Sequence, residues 1–151
     1  MKIFIILALI AFSSAAEWKI KTLKEWDHFE DICLERYKEL IDKHQNDRAD
    51  QYPKEAFEIL LCVFREVGIW SDSKGFSVDR LMIVMDRIAT KEDINKKFLR
   101  DSLEKCADNN GEGSTTLDWA YRSYNCFKAN KVLYETLTKG RFGADQETVD
   151  E

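Results

Sequence analysis

The stretch CADNNGEGSTTLDWAYRSYNC, residues 106–126, supports two readings that lead to different proteins. Counted from Asp108, it looks like a calcium loop: Asp108, Asn110 and Glu112 alternate, and Gly113 falls where such a loop turns sharply. That loop also needs an apolar residue at its eighth position and a bidentate Glu at its twelfth. Thr115 and Trp119 stand there, and an indole supplies neither the charge nor the two oxygens. Counted from its ends, the same stretch is a turn between two cysteines, followed by the capped start of an aromatic helix. Asn, Asp, Gly and Ser are turn formers and helix caps in their own right. The second reading accounts for every letter, and it makes this segment a connection between helices.

Outward from that turn the pattern stays helical. Thr22 and Glu25 form a capping box, and the apolar residues from Leu23 to Ile41 continue at near-helical spacing to about Lys43. HQNDRADQ breaks the chain. Pro53 then suits the first turn of a helix that ends at Val67, before Gly68. SDSKG is a turn, and Ser77 caps a helix with Leu81, Val84, Met85 and Ile88 at i, i+3, i+4 and i+7. Thr90 with Asp93 opens the next helix, which carries Ile94, Phe98, Leu99, Leu103 and Cys106. Thr115 or Thr116 caps a helix to about Asn130, and residues 131–137 add a turn or two. The polar GRFGADQETVDE, residues 140–151, has the composition of a frayed tail. No strand pair, repeat or low-complexity block stands out. The expectation is one all-α domain of five to seven helices, spanning residues 17–139.

Residues 1–16 combine Lys2, an apolar run from Ile3 to Phe12 and a small-residue end, Ser14-Ala15-Ala16. The run is too short to span a bilayer and reads as a secretory signal peptide, leaving an exported chain of about 135 residues. Losing Lys2 takes the formal net charge from −5 to −6. An acidic surface is a poor match for phosphate backbones or anionic membranes, so neither nucleic acid nor membrane insertion is expected. Four cysteines, Cys33, Cys62, Cys106 and Cys126, in an exported domain argue for two disulfides. Spacing leaves all three pairings open. With no CxxC and only His28 and His44, a metal site is not expected.

Two segments, CVFREVGIWSDSKGF at 62–76 and CADNNGEGSTTLDWAYRSYNCF at 106–127, resemble insect odorant-binding proteins of the pheromone-binding/general odorant-binding family. The similarity extends over about residues 20–135. That family usually carries six cysteines, with three residues between the second and third and eight between the fifth and sixth. The positions corresponding to the second and fifth are Glu58 and Leu117 here. Those two are the pair the family bonds to each other, so the pattern resembles the minus-C subgroup, which lacks one whole bridge.

The resemblance implies a compact bundle of about six helices, stapled by disulfides Cys33–Cys62 and Cys106–Cys126, around an apolar ligand cavity. It implies a secreted carrier for a small hydrophobic molecule, such as an odorant, a pheromone or a fatty-acid-like amphiphile. No cofactor is implied; a receptor or a weak homodimer is a further partner it allows. The expected lining is Leu60, Phe64 and Val67, then Leu81, Val84, Met85 and Ile88, with Phe98, Leu103, Trp119, Tyr121 and Phe127. Tyr121, Tyr124 and Arg122 are the nearest polar candidates for specificity, Arg122 as a partner for a carboxylate head. Glu58, an expensive group to bury alone, is expected to be partly exposed or paired with a nearby Lys or Arg. Family members often release ligand as pH falls, but His28 and His44 make a thin proton switch.

Catalysis has no foothold: the chain holds no GxSxG, HExxH or Gly-rich phosphate loop. A different binding role is the rival, sequestration of amines or lipids in saliva, haemolymph or reproductive fluid. Amine capture would call for Glu58 or Asp118 facing into the pocket. A protein-binding factor would instead have a solid core.

Overall fold

The computed structural model describes residues 17–44 and 54–142. The expected signal peptide, Pro53, most of the polar break and the tail beyond residue 142 lie outside the described residues. Seven α-helices form the described part: α1 (Leu23–Arg36), α2 (Lys38–His44), α3 (Phe57–Val67), α4 (Val78–Lys91), α5 (Lys96–Cys106), α6 (Thr116–Ala129) and α7 (Lys131–Phe142). A 3₁₀ turn, Lys54–Ala56, leads into α3. None of these helices is long and apolar enough to cross a membrane.

Local chemistry sets most of the ends. The Thr22 hydroxyl accepts from the Glu25 N–H while the Glu25 carboxylate accepts from the Thr22 N–H, a complete capping box. Gly68, at φ +82°, closes α3 in the left-handed conformation that favours glycine. Ser77 caps α4 and Thr115 caps α6, each accepting from the N–H three residues on.

Four details depart from the sequence reading. The first helix breaks at Tyr37, where no Gly or Pro marks it, so α1 and α2 are separate. Residues 70–76 make a minimal antiparallel hairpin, β1 (Trp70–Ser71) with β2 (Gly75–Phe76), too short for any alternating pattern to show. Thr90 does not open α5: it sits in the last turn of α4 with its hydroxyl donating to the Asp86 carbonyl. Asp93 at φ +53° ends that turn, and Asn95 caps α5 by accepting from the Phe98 N–H. Finally, α7 is a full helix of 12 residues and continues through Gly140.

The disulfides pair as the resemblance implied. Cys33–Cys62 ties α1 to α3, and Cys106–Cys126 ties the end of α5 to α6. Closing loops of this length stabilises by about 3 kcal/mol each in the chain-entropy picture. Between α3 and α6, where a third bridge is missing, aromatic packing takes over. Phe57 meets Tyr121 at 5.4 Å and Tyr124 at 5.1 Å between ring centroids, and Lys54 pairs with Asp118 at the rim. Glu58 is half-buried with Arg65 at 3.9 Å, as expected of a carboxylate at that position.

Candidate ligand-binding cavity

The loop at 107–115 is held by its own side chains. Asn110 sits at φ +54° and Gly113 at φ +68°. The Asn110 N–H donates to the Asp108 carboxylate, and the Asn110 amide bonds both the carbonyl and the N–H of Ser114. Arg122 then grips Asp108 in a two-pronged ion pair at 2.8 and 3.0 Å and donates to the Ser114 hydroxyl. Arg122 holds the Asp108 carboxyl below its ordinary range, helped by the Asn110 N–H and opposed by partial burial. The Trp119 indole N–H donates to the Asp108 carbonyl, and its ring packs on Trp70 at 4.9 Å. The carboxylate a calcium ion would have needed first is thus committed to Arg122. The loop aims α6, and Arg122 braces it.

Behind α6, side chains from α1, α3, the hairpin, α4, α6 and α7 converge on a cavity of about 160 Å³. Leu60, Phe64, Ile69, Phe76, Leu81, Val84 and Phe127 supply its apolar wall. Trp26, Tyr124, Tyr134, Leu137, Thr138 and Arg141 complete it. A broader depression of about 840 Å³ crosses the outer side of α4 beside residues 17–20. It is open, with Trp18, Ile20, Met82 and Ile83 beside Asp79, Asp86, Arg87 and Arg100 on its walls, and lacks the enclosure small ligands favour.

Of the twelve residues expected to line a cavity, Leu60, Phe64, Leu81, Val84 and Phe127 come together there. Val67, Met85, Ile88, Leu103 and Trp119 are buried in the core but are not on its wall. Tyr121 packs against Phe57 on the α3–α6 seam. Phe98 is 46 % exposed, because the buried stripe of α5 runs through Leu99, Leu103 and Cys106 and leaves position 98 outside it. Arg122 is on the loop side and not at the cavity. Of the remaining lining, Tyr124 alone was among the polar candidates. Tyr134, Leu137, Thr138 and Arg141 recur at i, i+3, i+4 and i+7, the helical period that would have flagged this face of α7.

The polar groups of the cavity gather at its α6–α7 end. The hydroxyls of Tyr124 and Tyr134 lie 3.4 Å apart. Burial, and secondarily its bond with Tyr134, pushes the Tyr124 hydroxyl above its ordinary pKa, so it remains protonated. The Thr138 hydroxyl donates to the Tyr134 carbonyl. The Arg141 guanidinium lies over the Trp26 ring at 4.7 Å and 4.0 Å from the Glu30 carboxylate. No Asp, Glu or His lines this cavity among the described residues.

A helical shell with two disulfides, a family-typical spacing and an aromatic cavity defines a class of protein. The PBP/GOBP family matches residues 15–130, and the chain belongs to it; its four cysteines fit the minus-C pattern. It is 27 % identical to general odorant-binding protein 99a of Drosophila melanogaster over 128 residues, covering 83 % of this chain and 88 % of that one. It is 26 % identical to odorant-binding protein 22 of Aedes aegypti over 135 residues, covering 87 % and 93 % of the two chains.

Proposed function

We propose that this protein is a secreted carrier that holds a small hydrophobic molecule, odorant-like or amphiphilic, in the cavity between α3, α4, α6 and α7. The observation that carries this reading is the 160 Å³ cavity itself, walled by aromatic and aliphatic side chains inside a disulfide-tied shell. A cavity of this size accepts a benzene-sized molecule without rearrangement, since an engineered apolar cavity of roughly 150 Å³ does so. It sits below the roughly 300–1,000 Å³ usual for drug-sized ligands, which favours compact or medium-chain molecules over long-chain lipids.

Family membership supports the carrier role, and two disulfides are consistent with an exported protein. Amine sequestration finds no support in the lining. Glu58 is turned to Arg65, and Asp118 is held by Lys54 and the Thr115 hydroxyl.

Native mass spectrometry of the exported protein, before and after lipid stripping, tests the reading. The expected result is a discrete added mass of a few hundred daltons or less that stripping removes and 1-octanol or an apolar dye restores. A protein that carries nothing and takes up neither probe would overturn it.

A further inference from the structure

We propose that the open groove on the outer side of α4 is the docking site of the chain's own acidic C-terminal segment, residues 143–151, with Arg87 as the cation that receives it. The proposal concerns the outside of the helical shell and does not depend on what the cavity carries.

The groove, about 840 Å³, is bounded by residues 17–20, α4 and Gly140. Its openness suits a length of polypeptide better than a small molecule. Trp18, Ile20, Met82 and Ile83 give it an apolar floor, and Ile83 is 44 % exposed there. The carboxylates of α4 on its walls are already matched: Arg100 holds Asp79 at 3.0 Å and Lys96 holds Asp86 at 2.6 Å. Arg87 is not. It is half-buried, and it is the one arginine among the described residues with no hydrogen bond, ion pair or ring contact. Lys19, exposed on the same groove, is also without an ion-pair partner among the described residues. A half-buried cation without a counter-ion costs free energy that a carboxylate placed beside it would relieve.

The segment that fits is tethered at the groove's edge. Gly140 lines the groove, and α7 ends two residues further on at Phe142. Residues 143–151, GADQETVDE, contain Asp145, Glu147, Asp150 and Glu151 with no Lys or Arg, and Val149 for the apolar floor. Extended at roughly 3.3 Å per residue, a segment of this length reaches about 30 Å, several times the 5.4 Å rise of one helical turn along α4. Its attachment makes docking intramolecular, so modest contacts suffice. A second copy of the chain fits less well, because two molecules of net charge −5 repel.

Nitrogen-15 relaxation of the full exported chain at low ionic strength tests the docking. Backbone order parameters over residues 145–151 are expected above about 0.6 in the native protein and below that value in Arg87→Gln. Lys38→Gln, which removes an exposed cation on α2 instead, is expected to leave them unchanged. A second variant, combining Asp145→Asn, Glu147→Gln, Asp150→Asn and Glu151→Gln, leaves every described residue in place and keeps the test open if Arg87→Gln does not fold. It is expected to shift the amide signals of Ile83, Asp86 and Arg87. Tail order parameters below about 0.6 in the native protein, or unmoved by Arg87→Gln, would overturn the proposal. So would α4 amide signals indifferent to the neutralised tail. Sedimentation velocity covers the other occupant: a native dimer that Arg87→Gln converts to monomer would give the groove to a second copy and overturn the proposal as well.

Discussion

Gly140 lies directly against the main chain of Val84, so close that a Cβ on Gly140 would overlap the Val84 carbonyl. This is where α7 is pressed onto α4, and the Lys139–Glu92 ion pair at 2.8 Å fastens the same end. Val84 also lines the cavity, so the helix that closes the cavity and the helix that walls it meet at this point.

Gly140→Ala should therefore prise α7 away from α4. A backbone carbonyl cannot swing aside as a flexible side chain can, and overpacking of this kind costs about 1–3 kcal/mol. Urea denaturation is expected to show that loss, and 1-octanol is expected to bind less tightly because α7 supplies Tyr134, Leu137, Thr138 and Arg141. Native stability in the alanine variant would mean the two helices are less closely packed than described.

The α3–α6 seam gives a second prediction. Phe57 is buried and touches Phe64, Tyr121 and Tyr124, beside the Glu58 and Leu117 positions where this chain has no bridge. Phe57→Ala should cost about 3–5 kcal/mol, the usual range for emptying a buried phenylalanine site. Replacing Glu58 and Leu117 by cysteines in that variant should recover part of the loss if a covalent tie can stand in for the aromatic packing of the seam. Thermal melts of the three proteins under non-reducing conditions make the comparison.

The Asp108–Arg122 pair predicts a pH dependence with a definite sign. Asp108 titrates below its ordinary value in the folded protein, against about 3.9 when unfolded. Its contribution is present above the unfolded value and fades as pH falls through the folded one. Asp108→Asn should therefore melt at a lower temperature than the native protein at pH 7. The difference should shrink below about pH 4 as the native carboxylate protonates. A gap that persists unchanged at pH 2 would assign the effect to the loop's shape and not to the charge.

Ligand release by mild acid is not expected. His44 lies beside Glu55 at 3.6 Å and His28 beside Phe29, both away from the cavity wall. Retention of the uncharged probe 1-octanol should change by less than about twofold between pH 7 and pH 5, where histidine is the side chain that ordinarily titrates. Equilibrium dialysis at the two pH values checks it; a large loss at pH 5 would overturn this expectation.

Much of this molecule was legible from letters alone because the relevant forces are local. The Thr22–Glu25 box, Ser77, Gly68 and the turn at 107–115 act within three or four residues, so the helices they bound could be placed directly. Cysteine spacing, through its resemblance to a family pattern, carried the pairing and the missing bridge. The cavity was different. Val67, Met85 and Leu103 have the same apolar character and helical spacing as Leu60, Phe64 and Leu81, yet the first three fill the core and the last three face the cavity. Periodicity identifies a buried face but not what that face is buried against. Arg122 and Arg141 make the same point for charge: the first braces a loop and the second stands at the cavity, a distinction set by how α6 and α7 are docked. The sequence by itself determined most of the helices and the caps at Thr22, Ser77 and Thr115, and through the family resemblance the staples. Which apolar faces meet each other, and which leave a gap, was decided by the tertiary packing, above all the seating of Gly140 on Val84, because that depends on contacts between residues far apart in the chain.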